Sequence, residues 1–292
     1  MNTEDVEIFL KIYETKSISA AAASLFHTQS SVSKRLENLE KNLGYPLFVR
    51  GRGITNVLPT VAGERFYPIA RQMASLMEDA ERIGNAGNKK RLRIAAPDSI
   101  VSYRLRRFFS ELTTERSDWE IEINMADTLP ICEMVRNRTI DVGIINGKAP
   151  FFELSAEELF SEPYVVLASE ELFGKRESLN ISALDPSNEI HHMFGDEYRR
   201  WHDYWFRQGL AKAKVNLAHV AVDMLIHKED WTILPLSVAK TLCPDGFRIY
   251  MFESNGLQRA AILITHAELS AERRTNAKEL IDLLKRECRS DE

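Results

Sequence analysis

The amino-acid sequence predicts an α/β multidomain protein with an N-terminal winged helix-turn-helix, a long linker helix and a larger α/β domain. Three observations predict it. Apolar residues in the first 45 positions recur at helical spacing in three short blocks. A stripe from Ala62 to Ile83 then alternates steps of four and three, the period of a helix buried along one seam. Beyond residue 91, strand-like and helix-like stretches alternate, as they do where helices cover a largely parallel sheet.

The first helix rests on Val6, Phe9, Leu10 and Tyr13, spaced i, i+3, i+4, i+7, with Asn2 or Thr3 available as a cap. A second short helix follows in 17–25, where Ser17 or Ser19 can cap and four alanines let another helix approach closely. After Phe26 and His27, Thr28 can cap a third helix whose apolar side is Val32, Leu36, Leu39 and Leu43, and Gly44 ends it. Its opposite side begins with Gln29, Ser30, Ser33 and Lys34, with Arg35 beside them. An amide that can pair with adenine, hydroxyls for bases or phosphates, and cations for phosphate are what a helix in the major groove needs. The same residues also suit an ordinary solvated face. Leu47 to Arg50 and Asn56 to Leu58 read as short strands joined by Gly51-Arg52-Gly53, a wing whose Arg50 and Arg52 suit the backbone or the minor groove.

From Phe9 to Gly63 the order of residues is specific. Ser-Ile-Ser-x-Ala-Ala at 17–22 is followed by Thr28-Gln29-Ser30-Ser31-Val32-Ser33-Lys34-Arg35-Leu36. Then come Leu39-Glu40, Leu43-Gly44, Leu47-Phe48, Arg50 and Thr60-Val61-Ala62-Gly63. The chain resembles the LysR-type transcriptional regulator family, by motif over its N-terminal fifth and by layout and length beyond it. It departs from the usual pattern at Ser30, where Pro or Ala is customary, and at Lys34, where Arg is. The residues expected to meet DNA are Ser17, Thr28, Gln29, Ser30, Ser33, Lys34, Arg35, Arg50 and Arg52.

From Thr60 a helix carries Ala62, Phe66, Ile69, Met73, Leu76, Ala80 and Ile83 along one stripe of about three heptads. The simplest reading is a coiled coil between two subunits, so Phe66, Ile69, Met73, Leu76, Ala80 and Ile83 are the candidate dimerisation residues. Pro68 interrupts the pattern, and a bend near Glu64 to Pro68 is expected. Asn85-Ala86-Gly87-Asn88 reads as a helix stop and hinge. The expected boundaries are a head at 1–60, a linker at 61–88 and a third domain at 89–292.

In that domain, 92–96, 120–125 and 140–145 read as strands, with helices expected at Val101 to Leu112 and Leu129 to Asn137. The resemblance implies a two-lobed effector domain like a periplasmic binding protein. Lobe one would hold about 89–163 and 267–292, and lobe two about 164–266, including the strand near 260–265. Ligands of such folds sit at the carboxyl ends of strands. Asp98, Ser99 and Ser102 follow the first strand, and Asp127, Thr128 and Pro130 the second. Ser99 and Thr128 match positions at which the family holds effectors, and Phe194 with Gly195 stands at the matching edge of lobe two. The candidate effector-binding residues are Asp98, Ser99, Ser102, Thr128, Phe194 and Gly195, although each hydroxyl also suits a plain helix cap. His227-Lys228-Glu229-Asp230 stands where the family has a Gly-rich stretch.

Composition excludes several classes. Hydrophobic residues are 44% and charged residues 28% of the 292, close to the soluble average. No run approaches the roughly 18–20 apolar residues of a membrane span, and the start carries Glu4, Asp5 and Glu7 in place of a signal's basic residues, so the cytoplasm is expected. The net charge of −5 hides a division: residues 1–91 hold 13 Lys/Arg against 10 Asp/Glu, and the remainder 25 against 33. Cys132, Cys243 and Cys288 are far apart, which suits reduced thiols and leaves a peroxide-type switch without a close pair. His191, His192, Asp196 and His202 lack tight ligand spacing, and no metal or cofactor is expected. Phosphate-loop, nucleophile-elbow and dinucleotide motifs are missing from the sequence, so an enzyme is not expected.

The resemblance implies double-stranded DNA and a small-molecule effector as partners, self-association as homodimer or homotetramer, and RNA polymerase as a further candidate. Two alternatives stay open: a binding protein whose head no longer meets DNA, and a hydrolase or transferase using the cleft.

Overall fold

A computed structural model of the chain describes residues 2–49, 57–85, 89–207 and 209–290. It divides into two compact units, Met1–Lys89 with Asn137–Thr139, and Lys90–Arg136 with Ile140–Glu292.

The first unit begins with α1 (Thr3–Thr15), whose N-terminus is closed by a reciprocal capping box between Asn2 and Asp5. Helix α2 (Ile18–Ser24) is capped by Ser17, and α3 (Gln29–Leu43) by Thr28, with Gly44 in the left-handed conformation ending it. The expected apolar stripes converge. Val6, Phe9 and Leu10 of α1, Ala21 and Ala22 of α2, and Val32, Leu36 and Leu39 of α3 form one buried core. Each fully buried large side chain there contributes about 1.5–3 kcal/mol.

Strands β1 (Phe48–Val49) and β2 (Leu58–Pro59) pair antiparallel, the described base of the expected wing. Glu40 of α3 anchors it by accepting from the Leu47 and Phe48 amides at 2.7 and 3.2 Å. Helix α4 (Val61–Asn85) runs through Pro68 as one helix and starts under a Thr60 cap. Gly63 is required there: a Cβ would lie 2.1 Å from the Leu47 carbonyl oxygen.

The expected dimer stripe needs correction at two positions. Phe66 is buried within its own unit, 4.9 Å from Phe9, and Met73 packs against the same core. The cause is the way α4 lies on α1, which turns these positions inward. Ile69, Leu76 and Ala80 are exposed, whereas the Ile83 side chain and the expected hinge at 86–88 fall outside the described residues.

The second unit opens with β3 (Lys90–Ala96), a π-helical turn at Ile100–Arg104, and α5 (Arg106–Glu115). Next come β4 (Trp119–Met125), α6 (Thr128–Arg136), β5 (Val142–Asn146) and the long β6 (Leu154–Ser169). They are followed by α7 (Glu170–Phe173), β7 (Ser178–Leu179), β8 (Ile190–His192) and α8 (Asp196–Phe206). The unit closes with β9 (Ala213–Val215), α9 (Ala218–Asp223), β10 (Trp231–Pro235), α10 (Leu236–Leu242), β11 (Phe247–Phe252), β12 (Gln258–His266) and α11 (Ala271–Ser290).

Two lobes share β6. Its first part, to Pro163, pairs with β12 and so belongs with β5, β3 and β4; its second part, from Tyr164, pairs with β10 and β11. The crossing near residue 163 is as expected. The return is not. Strand β12 pairs with β5 (Ile262 opposite Ile145) as well as β6, which puts it in lobe one, so the chain crosses back between β11 and β12 and not near 266. The expectation of a mostly parallel sheet is corrected with it. β3 runs parallel to β4 and β5, but the returning β12 is antiparallel to both its neighbours, and β6 is antiparallel to β10 and β11. The helix expected at 101–112 is replaced by the π turn and α5.

Candidate functional site

Two sets of side chains stand out, one in each unit. On α3, the buried stripe fixes which side faces outward: Thr28, Gln29, Ser30 and Lys34 are exposed and Ser33 is half-buried. Thr28 is both cap and surface residue, since its hydroxyl accepts from the Ser31 amide at 3.2 Å and lies 3.1 Å from the Ser30 hydroxyl. Ser17 accepts from the Ala20 amide at 3.3 Å. Arg35 is less available than expected, because Glu4 at 2.7 Å and Asp5 at 3.5 Å hold it against α1. Lys34 makes no ion pair among the described residues and is the freer cation. Arg50 and Arg52 lie outside the described residues.

Two further features of the head lie beyond the residues expected from the sequence. Lys41, Asn38 and Asn42 extend the polar face of α3 into a shallow groove shared with Asn2, a continuation at i, i+3, i+4 that periodicity could have revealed. Phe26, in the turn before α3, takes a positive φ of 56° and is 96% exposed, so its ring contributes nothing to the core.

In the second unit the cleft is assembled around the strand crossing. Arg259 at the start of β12 is buried, and its guanidinium donates to Glu162 of β6 and, through Nη1, to the Ser99 hydroxyl at 2.8 Å. Glu162 also accepts from the Ser237 amide and hydroxyl at 2.7 and 3.1 Å, so the buried pair is fully engaged. Ser99 is therefore no helix cap: it makes no capping bond, and its hydroxyl bridges toward the crossing. Ser102 donates to Asp98 at 2.7 Å. Thr128 ties the start of α6 to β5, donating to the Asn146 carbonyl at 3.2 Å and accepting its amide at 3.3 Å.

From lobe two, Phe194 stacks on His192 at 4.1 Å and meets Tyr164 edge-on at 5.2 Å. Gly195 follows as the exposed residue before α8. The lobes approach where Gly147, next to Asn146, faces Glu197 of α8: a Cβ on that glycine would lie 3.7 Å from the Glu197 carboxylate. Charges cross the gap too. His192 is pushed down to about 4, chiefly by burial, with His191 and Arg259 acting the same way against the pull of Asp98. Its Nδ1 has no hydrogen-bond partner among the described residues. Burial raises the Tyr103 phenol, and Asp98 and Asp223 raise it further. The structure thus brings Asp98, Ser99, Ser102, Thr128 and Phe194 around one crossing, with Gly195 at its rim, and adds Arg259, Glu162 and His192, which the sequence reading did not nominate.

The residue run that replaces the Gly-rich stretch has a structural role. Asp230 is buried, accepts from the Ile226 and His227 amides at 3.2 and 2.9 Å, and pairs with Lys212 at 2.6 Å. Burial alone would raise its carboxyl, but these partners hold it below the usual value. Among the three thiols, Cys132 and Cys288 are buried, and Cys132 and the exposed Cys243 are both raised, first by desolvation and then by Glu133 and Asp245 respectively. Raised thiols react slowly.

Comparison with known proteins follows this division. The model described as "LysR substrate binding domain" matches residues 85–289, and "Bacterial regulatory helix-turn-helix protein, lysR family" matches residues 3–64. The HTH-type transcriptional regulator YofA of Bacillus velezensis is 29% identical over 182 residues, covering 61% of this chain and 62% of the relative. HdfR of Yersinia enterocolitica is 31% identical over 157 residues, 53% of each chain, so the match spans less than two thirds of either relative. Among solved structures, CbnR, a LysR family transcriptional regulator, aligns over 99% of both chains at TM-score 0.71 and 16% identity. CbnR complexed with its target DNA gives 0.69 at 18%, covering 98% of this chain and all of that one. These structural likenesses concern the fold. No helix among the described residues is long and apolar enough to cross a membrane.

Proposed function

Because the chain belongs to the lysR family of bacterial regulatory helix-turn-helix proteins, we propose that it is a cytoplasmic, sequence-specific DNA-binding transcriptional regulator controlled by a small-molecule effector held between the lobes of its second unit. The observation that carries the reading is α3: its apolar stripe is locked in the core while Thr28, Gln29, Ser30 and Lys34 project from its N-terminal turns. That is the geometry of a helix whose first residues enter the major groove. Gln29 suits bidentate pairing with adenine, Ser33 a base or phosphate, and Lys34 a phosphate. Phe26, bare beside them, suits the methyl of thymine or a sugar face.

The exposed Ile69, Leu76 and Ala80 on α4 support self-association, which would present two heads to two half-sites. The cleft supports binding, since its hydroxyls and the Arg259–Glu162 pair are mutually satisfied. Its charges favour a neutral or cationic ligand: Arg259 is already neutralised by Glu162, His192 is uncharged at neutral pH, and Asp98 and Glu197 remain. An effector acts by binding one arrangement of the protein better than another, and a tenfold preference corresponds to about 1.4 kcal/mol.

The test is to sequence genomic DNA captured by the purified chain while screening metabolites by thermal shift. A shared motif with two half-sites, and a ligand returned chemically unchanged, are expected. Capture without any motif overturns the DNA reading, and conversion of the ligand overturns the sensor reading.

A further inference from the structure

In the core of lobe two, behind the cleft wall, three ligating atoms converge. Glu189 precedes β8, His191 lies on β8 and His202 on α8. Glu189 Oε1 is 3.0 Å from His191 Nδ1 and 2.7 Å from His202 Nε2, and the three ligating atoms all lie within 4.8 Å of one another. The residues are 1%, 8% and 5% exposed, so this is an interior cluster and not a solvated patch. His192 and Asp196, which the sequence placed beside them as a metal-like group, are not part of it.

The chemistry of the set is distinctive. A buried carboxylate needs a compensating positive charge, and among the described residues Glu189 has no Lys or Arg partner. Its only side-chain partners among the described residues are two imidazoles. Two imidazole nitrogens and one carboxylate oxygen form a donor set preferred by borderline divalent ions such as zinc, cobalt and nickel. Tetrahedral coordination at ordinary bond lengths separates neighbouring donors by about 3.3 Å. The two Glu189–imidazole separations would open by about 0.3 and 0.6 Å to reach it, and the two imidazole nitrogens already lie within 4.8 Å of each other.

Two neighbours strengthen the case. The Tyr198 ring lies 5.9 Å from His191 and 5.7 Å from His202, and its hydroxyl is buried without a hydrogen-bond partner among the described residues. His202 Nδ1, the nitrogen not facing Glu189, is 4.0 Å from an Asp203 carboxylate oxygen. That is longer than a hydrogen bond, and a liganding imidazole would close it to offer its second N–H to the carboxylate.

We propose that Glu189, His191 and His202 bind one divalent transition-metal ion of the zinc class in lobe two. The imidazole nitrogens facing the ion would be unprotonated, each ring keeping its N–H on the other nitrogen, so binding displaces protons from between the three residues. The ion would tie β8 to α8. His192 at the end of β8, with Phe194 and Gly195 in the link to α8, forms the lobe-two side of the cleft, so the ion would also steady the effector wall. The metal site itself does not depend on the effector or DNA readings.

The test uses the full chain, stripped by a chelator and titrated with cobalt(II) in the visible range. One equivalent per chain is expected, with d–d bands that zinc bleaches on addition. His202→Gln keeps an amide N–H for Glu189, and it should weaken cobalt binding by about a hundredfold or more, with far-ultraviolet circular dichroism confirming the fold. X-ray absorption of the zinc-loaded wild-type chain should show two imidazoles and oxygen. A folded wild-type chain without bands, unchanged bands in His202→Gln, or a zinc shell lacking two imidazoles each overturns the site. DNA capture in the same samples separates its failure from failure of the regulator reading.

Discussion

Helix α3 carries a buried stripe and an exposed polar face on one fifteen-residue segment, whereas the cleft is assembled from positions as distant as Ser99 and Arg259, 160 residues apart. In the head, contact and support are separable: Gln29 projects while Leu36 packs. Around the cleft they are not, because Ser99, Arg259, Glu162 and Ser237 form a single hydrogen-bonded chain. A substitution on the head's outer face should therefore change recognition alone, and one at the crossing should change recognition and stability together. All four tryptophans, at 119, 201, 205 and 231, lie in the second unit, so their fluorescence reports its unfolding.

The largest effect is expected at the crossing. Arg259→Leu strands Glu162 as a buried charge and should cost about 3–5 kcal/mol in the denaturation midpoint followed by tryptophan emission. The double replacement with Glu162→Leu should recover much of that loss; equal damage in single and double variants would break the view of the pair as one unit. Gly63→Ala is the counterpart in the head. Its methyl meets the Leu47 carbonyl, and a cost of about 3 kcal/mol or more is expected there, seen as lost DNA retention with the tryptophan transition unmoved.

Gln29→Ala should sharpen the contrast, lowering specific against nonspecific DNA affinity by about 1–3 kcal/mol in competition titrations while leaving thermal stability alone. Asp230→Asn probes the second unit by pH. Because the native carboxyl lies below its ordinary value, its stabilisation is complete above about pH 4 and fades as pH falls through the native value. Wild type should exceed the variant by about 1–2 kcal/mol at pH 7, and urea melts should show that gap closing in acid. The smallest effect is Lys34→Ala, expected to reduce the salt dependence of DNA binding by about one unit of slope.

The same contrast explains what could be read from the sequence. Helices α1 to α3, their caps Asn2, Ser17 and Thr28, and the Gly44 stop were legible because spacing and capping are local. Phe66 was assigned to a partner subunit because a heptad stripe does not say which helix covers it, and α1 does. Arg35 looked free because Glu4 and Asp5 are 31 and 30 positions away in sequence. In the second unit, β12 was placed in the wrong lobe since its apolar alternation fits any sheet, and only pairing with β5 and β6 decides. Ser99 and Thr128 were found through family positions, but Arg259 and Glu162 were not, as single charged residues in strands carry no motif. Glu189 and His191 had a readable signal: two residues apart in extended chain, they share a face.

Strand β6 has a consequence for how any ligand signal could spread. Sixteen residues at about 3.3 Å each make a strand roughly 50 Å long that runs through both sheets, with one bulge, at Leu159, in its pairing with β12. Motion between the lobes would then be taken up as torsion along the strand and at its bulge four residues before the crossing, shared by the hydrogen-bonded ribbons on either side. Such a spring gives small angular excursions and transmits them to distant strand ends, β10 and β11 at one end and β12 at the other.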